Sequence, residues 1–236
     1  MRRERATRAR LMRTMKMILI FKGKNRITSG YRMPEREDHN GLDIVGDDSR
    51  DILCPADGVV KTSTMITDHS NLTWQWGNYV RVDDDQGRRL FFCHMDSRAV
   101  TAGQKVKRGD KLGIMGNTGY SFGAHTHFEV RDSDGKTILN PAEYLGIPNK
   151  LGTYSLPEGW AQDTLGWYWY RDGEKVKGEW VLDGGYWYYL GSDGRMQTGL
   201  QKIGGKVYML NPVRSQGIPK GACIITDEHG AMKEVR

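Results

Sequence analysis

Two short segments, well separated in the sequence, concentrate side chains that bind metal ions. His39 and Asp43 flank an Asn-Gly pair in the first segment, and His125 and His127 form a His-x-His in the second. Asn-Gly indicates a turn, so the first segment is not a helical His-Glu-x-x-His site. Alternate residues of a strand project from one face, so both imidazoles of the second segment can line one cleft. A fold that brings the two segments together supplies the ligand set of one Zn²⁺ per chain.

The composition favours short strands and turns over helices. The chain of 236 residues contains 30 glycines, and no long amphipathic helix is indicated. We predict a mainly β fold, with an antiparallel sheet that carries the metal site and a smaller β-hairpin repeat domain. The strand candidates are residues 43–45, 58–61, 79–82, 90–94, 111–115 and 126–131, with a hairpin between 79–82 and 90–94 and a short helix at 141–145.

Changes in composition divide the chain into four parts. Residues 1–26 hold ten Lys and Arg against one acidic residue, and we predict a basic N-terminal extension there. Residues 27–146 carry the predicted strands and the metal-binding segments, and we predict one domain there. A stretch rich in Gly, Pro, Asn and Ser predicts a linker at 147–158, and aromatic residues crowd the following domain, 159–236.

The basic extension is compatible with binding to nucleic acid or another anionic polymer, but a solvated, disordered tail is the simpler interpretation. The rest of the chain holds 25 basic and 28 acidic residues, which argues against nucleic acid as a partner. The apolar run at 15–21 contains a lysine and is short for a secretory signal. No stretch reaches the ~20 apolar residues of a membrane span, so we expect neither a membrane span nor a standard signal peptide.

The aromatic domain repeats with a period of about 20 residues. A unit that starts at Gly159-Trp160 aligns with one that starts at Gly178-Glu179-Trp180, and both continue through an aromatic run to Asp-Gly. A third, irregular unit starts near residue 198, and residues 224–230 are expected to close it. Each unit is predicted to be one hairpin with an Asp-Gly turn, and stacked hairpins would bury each other's aromatic rings.

The three cysteines, Cys54, Cys93 and Cys223, each lie in an apolar run. They form no paired framework, so we predict small buried thiols. Cys93 precedes His94, but neighbours on a strand point to opposite faces, and we do not count Cys93 as a ligand.

Further segments accompany the metal-binding motifs. From residue 27 to 145 they are TSGYR at 28–32, HNGLD at 39–43, PADGVV at 55–60, GNYV at 77–80, HM at 94–95, GQKVKRGD at 103–110, GNTG at 116–119 and HTHFEVR at 125–131. Together they resemble the lysostaphin-type zinc endopeptidases of bacterial cell walls. The resemblance implies that His39, Asp43 and His127 bind zinc and that His94 and His125 are catalytic.

Peptide hydrolysis also needs a group that takes the proton of water and a group that protonates the leaving amine. His94 and His125 are the candidates, because imidazole titrates near neutral pH. Which of the two is the base stays open. Glu129 is the rival base, since it shares a strand face with His127. Tyr31 is a candidate oxyanion donor, with a packed tyrosine as the simpler interpretation.

The repeats resemble choline-binding and related cell-wall-binding repeats, through the pattern Gly-Trp, Trp-Tyr-Tyr and Asp-Gly. Aromatic faces can cage a quaternary ammonium group by cation–π attraction. The candidate ligand-binding residues are Trp160, Trp167, Trp180, Trp187 and Tyr188, and we expect about half of the repeat aromatics to be structural. Choline-bearing teichoic acid is the expected partner, with sugar or peptide stacking as the alternative.

The two resemblances together imply a zinc metalloendopeptidase that cleaves stem or cross-bridge peptides of peptidoglycan and acts at the bacterial cell wall. Because no standard signal peptide is recognised, we expect a phage-type endolysin, made in the cytoplasm and released by a holin-type route. The alternatives are a host autolysin exported by another route and a non-catalytic wall-binding adaptor.

Overall fold

The computed structural model describes residues 17–65, 68, 70, 74–214, 217–226 and 232–234. It separates the chain into two compact units, Met1–Leu156 and Pro157–Arg236. Residues 1–16, most of the predicted basic extension, lie outside the described residues. Within the described part, no helix has the length and apolar character that crossing a bilayer requires.

Among its described residues, the first unit is built from short strands and one short helix, as its glycine-rich composition predicts. Its strands are β1 (Asn25–Ser29), β2 (Leu42–Gly46), β3 (Asp51–Leu53), β4 (Gly58–Met65), β5 (Asn78–Asp84), β6 (Arg89–Arg98), β7 (Lys105–Val106), β8 (Lys111–Met115), β9 (Thr126–Arg131), β10 (Ile138–Leu139) and β11 (Gly152–Tyr154). A 3-10 turn at Trp74–Trp76 precedes β5. The helix α1 spans Pro141–Leu145, where it was predicted; the Asn140 side chain caps its start and Gly146 ends it in the left-handed conformation.

The strands of the first unit join in one sheet whose pairings are antiparallel. Among the described residues the strand order is β11-β1-β2-β9-β6-β5-β4-β7. In addition, β10 pairs with β9, and β8 pairs with both β3 and β6. β5 and β6 form the predicted hairpin. The mainly β, antiparallel architecture is therefore confirmed, and β2, β9 and β6 lie side by side at its centre.

Alternation along these central strands separates the core from the opposite face of the sheet. Phe128 of β9 pairs with Leu42 of β2 and packs against Phe92 of β6, with ring centroids 5.1 Å apart, and all three side chains are fully buried. One residue earlier in β9, His127 lies opposite Asp43 of β2. Because side chains alternate with a period of two, the register that builds the core also brings these two polar residues together.

The described end of the predicted basic extension belongs to the core, which corrects its boundary at residue 26. Ile20 and Phe21 are buried, and the backbone N–H of Leu53 donates to the Ile20 carbonyl at 2.8 Å. The Asn25 side chain accepts from the Phe21 N–H at 3.0 Å and donates to the Phe21 carbonyl at 2.8 Å. This apolar run lies within the packed unit because burial of its side chains stabilises the fold.

Part of the predicted linker, residues 147–158, also belongs to the first unit. Strand β11 pairs with β1, and Ile147 is buried against the main core. The Asn149 side chain accepts from the Tyr31 N–H at 2.9 Å and donates to the Tyr31 carbonyl at 2.7 Å. A Gly-containing segment can add an edge strand where a neighbouring strand offers unpaired backbone groups. The division between the units follows Leu156.

The second unit is a series of hairpins. Its strands are β12 (Gly159–Asp163), β13 (Gly166–Arg171), β14 (Glu174–Lys175), β15 (Glu179–Asp183), β16 (Tyr186–Leu190), β17 (Gly199–Ile203), β18 (Lys206–Leu210), β19 (Cys223–Thr226) and β20 (Met232–Glu234). The hairpins begin at Gly159, Glu179 and Gly199, which confirms the period. β19 pairs with β20, which lies beyond the predicted closing hairpin at 224–230. Residues 227–230 of that prediction lie outside the described residues.

Only some of the hairpin turns described in the second unit are the predicted Asp-Gly turns. Gly184–Gly185 connects β15 to β16 and Gly204–Gly205 connects β17 to β18, and all four glycines have positive φ, as a type I′ turn requires. Asp172–Gly173, with φ of 50° and 77°, instead links β13 to the short β14. Because Arg171 pairs with Glu174, Asp172–Gly173 is itself the turn of a short hairpin between β13 and β14. The predicted Asp-Gly turn is therefore present in the first repeat, but it does not connect β12 to β13.

Candidate metal centre and active site

Three side chains bring potential metal-ligand atoms together beside the central strands. His39 Nε2 lies 3.0 Å from Asp43 Oδ1 and 3.1 Å from His127 Nδ1, and the last two atoms are 2.9 Å apart. A tetrahedral zinc ion with bonds of about 2.0–2.1 Å separates its ligand atoms by roughly 3.3 Å. The three atoms, called the ligand triangle below, therefore stand near the spacing that one ion imposes.

Hydrogen bonds behind the ligand triangle determine which ring nitrogen faces it. His39 Nδ1 lies 2.7 Å from the Gly30 carbonyl, which can only accept a hydrogen bond. Nδ1 therefore carries the hydrogen, and the lone pair of Nε2 points into the triangle. His127 faces the triangle through Nδ1, while its Nε2 lies 3.8 Å from Glu129 Oε2. His39 is thus oriented as a neutral metal ligand, and His127 presents Nδ1 to the same point.

Glu129 is a buried carboxylate behind His127. It forms an ion pair with Arg131, whose guanidinium lies over the rings of Trp76 and Phe91 at 5.6 Å and 5.1 Å. Burial raises the pKa of Glu129, but hydrogen bonds from His127 and Arg131 outweigh burial and lower that pKa overall. Glu129 is absent from the lining of the cleft in front of the triangle, a position that suits support of His127 better than proton transfer.

Arg36, which no motif of the sequence singled out, holds the second oxygen of Asp43. Its Nη1 lies 3.0 Å from Asp43 Oδ2 and 3.2 Å from Ser29 Oγ. Burial raises the pKa of Asp43, but hydrogen bonds from His127 and His39 outweigh burial and hold that pKa well below its usual range. Asp43 is therefore an ionised carboxylate, anchored by one oxygen and presenting the other to the triangle.

The triangle stabilises positive charge. Burial alone would lower the pKa of His127, yet hydrogen bonds to Asp43 and Glu129 raise it to about 9. Three lone-pair atoms within 3.1 Å of one another repel unless a proton or a cation stands between them. Two imidazoles and one carboxylate fit zinc, which takes these ligands and keeps a fourth position for water or substrate.

Gly41 leaves room for the imidazole of His127. A Cβ atom at this position would lie 2.5 Å from His127 Cε1 and 2.6 Å from its Nε2. The glycine of the Asn-Gly pair is therefore needed for the close approach of a ligand ring, beyond the turn that the sequence predicted.

A β-bulge in β6 directs His94 toward the ligand triangle. Between two successive pairings with β5, β6 carries one residue more than its partner. His94 lies in this irregularity with a left-handed backbone, φ 63°. Strict alternation along β6 would point Cys93 and His94 to opposite faces of the sheet. Because of the bulge, His94 departs from this alternation, and the centroid of its ring lies 4.7 Å from that of His125.

His94 and His125 offer the same ring nitrogen to the cleft. His94 Nδ1 lies 2.8 Å from the Thr118 carbonyl and His125 Nδ1 lies 2.8 Å from the Gly123 carbonyl, so each Nδ1 donates and each Nε2 keeps its lone pair. His125 Nε2 is 3.5 Å from Asp43 Oδ1. Burial is the main cause that lowers the pKa of His94 to about 4, against the opposing hydrogen bond to Thr118.

The residues singled out in the sequence meet at one place. Asp43, His94, His125 and His127 line an open cleft of about 560 Å³, and buried His39 touches Asp43 beneath it. The Tyr31 side chain packs against the main core and is absent from the lining of this cleft. Of the predicted groups, Tyr31 and the rival base Glu129 are therefore the two side chains that the fold places outside the cleft and its metal ligands.

The three cysteines are free and buried, as predicted. Burial raises the pKa of the Cys54 thiol to about 11 and that of Cys93 well above its usual value. Both groups therefore remain protonated thiols near neutral pH, which fits a packing role.

In the second unit, three of the predicted ligand residues share one pocket. Trp160, Trp167 and Tyr188 line a hollow of about 370 Å³ that Met196 also lines. The Trp160 ring centroid lies 4.9 Å from that of Tyr188 and 6.5 Å from that of Trp167. The Trp160 indole N–H donates to Asp183 Oδ2 at 3.0 Å. The sequence patterns did not identify Met196 or Asp183 as part of this pocket.

Trp180 and Trp187 stand one repeat further on, at positions equivalent to Trp160 and Trp167. The Trp180 ring lies 4.9 Å from that of Tyr208, the same distance that separates the equivalent rings of the first pocket. The aromatic arrangement of the first pocket is therefore repeated in part around Trp180.

Two family models match the chain. Residues 37–141 match Peptidase family M23, and residues 178–196 match a cell wall binding repeat. The first match contains all three residues of the ligand triangle together with His94 and His125, and the second contains Trp180, Trp187 and Tyr188.

Curated relatives match the peptidase region. Peptidoglycan DD-endopeptidase ShyB of Vibrio cholerae is 31% identical over 119 residues, which cover 47% of this chain and 26% of that protein. Murein hydrolase activator NlpD of Escherichia coli is 33% identical over 107 residues, 45% of this chain and 26% of that protein. The chain thus spans about a quarter of the length of these relatives.

Solved structures also match this region. The catalytic domain of lysostaphin from Staphylococcus simulans is 22% identical with a TM-score of 0.41, covering 58% of this chain and 96% of that one. A zinc containing peptidase from Vibrio cholerae is 24% identical with a TM-score of 0.43, covering 58% and 41%. By the family matches, the chain combines a domain similar to the M23 peptidases with a segment similar to cell wall binding repeats.

Proposed function

We propose that the first unit is a zinc endopeptidase that cleaves peptides of bacterial peptidoglycan and that the second unit binds the cell wall. The observation that carries the proposal is the ligand triangle, whose three lone pairs converge within 3.1 Å while His94 and His125 turn their Nε2 atoms toward the same cleft. A non-catalytic fold has no need of this combination of metal ligands and two further imidazoles.

His39, Asp43 and His127 would hold the zinc ion. When bound, zinc polarises a scissile carbonyl and lowers the pKa of water to about 7. His94 and His125 act as the proton-transfer pair: a lone pair on Nε2 accepts the proton of the attacking water, and the protonated ring returns it to the leaving amine. A protonated ring beside the cleft also stabilises the oxyanion that forms during attack.

Backbone carbonyls keep this pair in position. Thr118 and Gly123 each accept a hydrogen bond from Nδ1 of one imidazole, at 2.8 Å in both cases, so neither ring can turn its Nδ1 lone pair to the substrate. The arrangement selects one tautomer for each ring before substrate arrives, which is the requirement for an oriented acceptor.

The choice of peptidoglycan as substrate draws on the relatives and on the repeat. The ShyB relative is named for peptidoglycan endopeptidase activity, and the match at 178–196 is to a cell wall binding repeat. A peptidase joined to a wall-binding unit acts on a substrate that is fixed in the wall, where a second contact raises the local concentration of enzyme.

The test is release of new amino groups from purified bacterial walls by protein that contains one zinc ion per chain. We expect release, and we expect the Asp43→Ala variant to release none. A zinc-loaded protein that binds walls and releases no amines would favour the second candidate function, a non-catalytic activator or adaptor. The observation that favours this second candidate is the 33% identity to the murein hydrolase activator NlpD of E. coli.

For the second unit we propose choline-bearing teichoic acid as the ligand. Trp160, Trp167 and Tyr188 can surround a quaternary ammonium group, and the Asp183 carboxylate lies behind Trp160. Arg214 also lines the hollow and suits the phosphate that accompanies choline in such a polymer. Choline should quench or shift the tryptophan fluorescence and release the protein from choline-containing walls. Equal binding to choline-free walls would favour sugar or peptide stacking.

The pairing of the two units fits a phage-type endolysin and a host autolysin alike, and we propose the endolysin role. Expression inside susceptible bacteria distinguishes the two, because an endolysin lyses its host only when a holin-type pore is supplied. Lysis that proceeds without such a pore would favour the autolysin.

A further inference from the structure

The cleft in front of the ligand triangle is lined by two kinds of side chain. Arg26 and Arg36 supply guanidinium groups, and the loop from Tyr120 to Ala124 supplies two aromatic rings. Asp43, which is also a member of the triangle, is the acidic residue of the lining. The lining therefore holds two guanidinium groups and one carboxylate.

Arg36 lines the cleft and has N–H groups that are not used in the hydrogen bonds described above. Its Nη1 makes the contacts with Asp43 and Ser29, and the side chain is 52% exposed. Its other guanidinium nitrogens contact no acceptor among the residues that the structure describes. A guanidinium has five N–H donors in one plane, so one edge can hold Asp43 while another binds an incoming carboxylate.

Arg26 lines the same cleft but already forms an ion pair with Asp47. Its Nε and Nη2 atoms both bind Asp47 Oδ1, at 3.1 Å and 3.0 Å. The carboxylate of Asp47 balances the charge of Arg26, whereas the carboxylate of Asp43 is shared between Arg36 and the triangle. Arg26 is therefore a natural control for the part played by Arg36.

Two exposed aromatic rings also line the cleft. Tyr120 is 61% and Phe122 is 89% exposed, with ring centroids 5.1 Å apart. The loop is held in place, because the Tyr120 N–H donates to the Gln75 carbonyl at 2.8 Å and Ser121 Oγ donates to Asn117 Oδ1 at 2.6 Å. Large apolar side chains held in water beside a polar cleft mark a surface that contacts a ligand.

We propose that the cleft selects a peptide with a free carboxylate next to the scissile bond, bound by Arg36, and a flanking segment that packs on Tyr120 and Phe122. An uncharged glycine-rich peptide offers neither contact. This inference rests on the proposed endopeptidase function and specifies its substrate class. It assigns Arg36 as the residue that determines specificity.

The experiment uses two peptides of the same sequence that differ only in a carboxylate or a carboxamide beside the cleaved bond. We compare kcat/KM for the pair with zinc-loaded wild-type protein, Arg36→Gln and Arg26→Gln, with zinc content measured for each. A charge-assisted hydrogen bond predicts a preference for the carboxylate of about 10-fold or more in wild-type protein. Arg36→Gln should reduce the preference to about onefold, and Arg26→Gln should keep it.

The ratio between the two peptides separates recognition from damage to the metal site. If Arg36→Gln disturbs Asp43, kcat/KM falls for both peptides, and the ratio of the two kcat/KM values stays unchanged. A wild-type protein that cleaves both peptides equally, or an Arg36→Gln variant that keeps the full preference, would overturn the proposal.

Failure of the proposed function would look different, because then neither peptide is cleaved. In that case, calorimetry measures the affinity of the zinc-loaded protein for the same two peptides and still tests whether Arg36 recognises the carboxylate. Tighter binding of the carboxylate peptide that is lost in Arg36→Gln supports recognition by Arg36, and equal binding refutes it.

Discussion

The first unit assembles its site from positions as distant as His39 and His127, whereas the second unit forms its pocket from Trp160, Tyr188 and Met196 in adjacent hairpins. In the first unit one sheet register aligns Asp43 with His127, so the site depends on the whole fold. In the second unit the aromatic rings of the pocket come from two adjacent hairpins, and a later segment with Arg214, Pro219 and Lys220 completes the lining. Damage in the first unit should therefore be all-or-none, and damage in the second should be graded.

The largest effect is expected where a single ligand of the triangle is removed. Asp43→Ala or His127→Ala should lower zinc affinity by more than about 100-fold, because loss of a ligand exceeds the roughly 10–100-fold effect of losing an outer contact. Peptide cleavage should fall to background. His125→Ala should abolish cleavage and keep most of the zinc, measured by competition with a chelator. Loss of zinc from His125→Ala would mean that the ligand and catalytic roles are exchanged.

Removal of the second unit tests whether the two sites are independent. A protein that ends at Leu156 should lose wall binding by about 100-fold or more, because the tethering contribution disappears. Its kcat/KM on a small peptide should stay within about twofold of the full chain, since the sheet and the ligand triangle lie within the first unit. Co-sedimentation with walls and a peptide assay measure the two properties. Unchanged wall binding would remove the anchoring role.

One methyl group should weaken the metal site without unfolding the sheet. In Gly41→Ala the new Cβ would meet the His127 ring at 2.5 Å, so the ring must shift away from the triangle. We expect zinc affinity to fall by about 10–100-fold. Gly123→Ala is the matched control, because its Cβ would meet no atom within 4 Å. Equal zinc affinities of the two variants would contradict this account of Gly41.

A single ring of the repeat pocket should have a graded effect. Trp160→Ala removes one face of the aromatic hollow, and a cation–π contact of about 0.5–2 kcal/mol corresponds to roughly 2- to 30-fold in choline affinity. Leu165→Ala, at an exposed side chain that is absent from the pocket lining, is the control and should leave affinity unchanged. An abrupt loss of all wall binding in Trp160→Ala would show that the repeats act as one cooperative unit.

The smallest effect concerns the bulge at His94. An alanine in the left-handed region costs roughly 1 kcal/mol more than a glycine. His94→Gly should therefore be more stable than His94→Ala by about that amount in denaturant unfolding, although both variants lose the imidazole. At His125, which does not have a positive φ, the order should reverse because glycine is more flexible when unfolded. The same order at both positions would argue against strain at His94.

Patterns with a local cause could be predicted from the sequence. Short strand candidates bounded by turn residues predicted the strands around Val80 and Phe92, and the short helix was predicted at 141–145. The period of the aromatic runs predicted the hairpins of the second unit. These features depend on neighbours within a few residues, so the chain itself contains the information.

Features with a distant cause could not be predicted. Ile20 and Phe21 looked like the end of a basic tail, because their partners in the core come from other strands. The segment around Gly152 looked like a linker, since nothing local shows that β1 offers it a free edge. Arg36 carried no motif, and its contact with Asp43 exists because the turn before β2 folds back over the site.

The sequence by itself determined which chemical groups are available: two imidazoles and a carboxylate for a metal ion, two more imidazoles, and a periodic array of indoles. Only the tertiary structure decided how they are aimed. The bulge that turns His94 toward His125 and the carbonyls that fix each ring nitrogen arise from pairing between strands remote in sequence. Residue type fixes what a side chain can bind, whereas backbone pairing across the sheet fixes the direction in which it points.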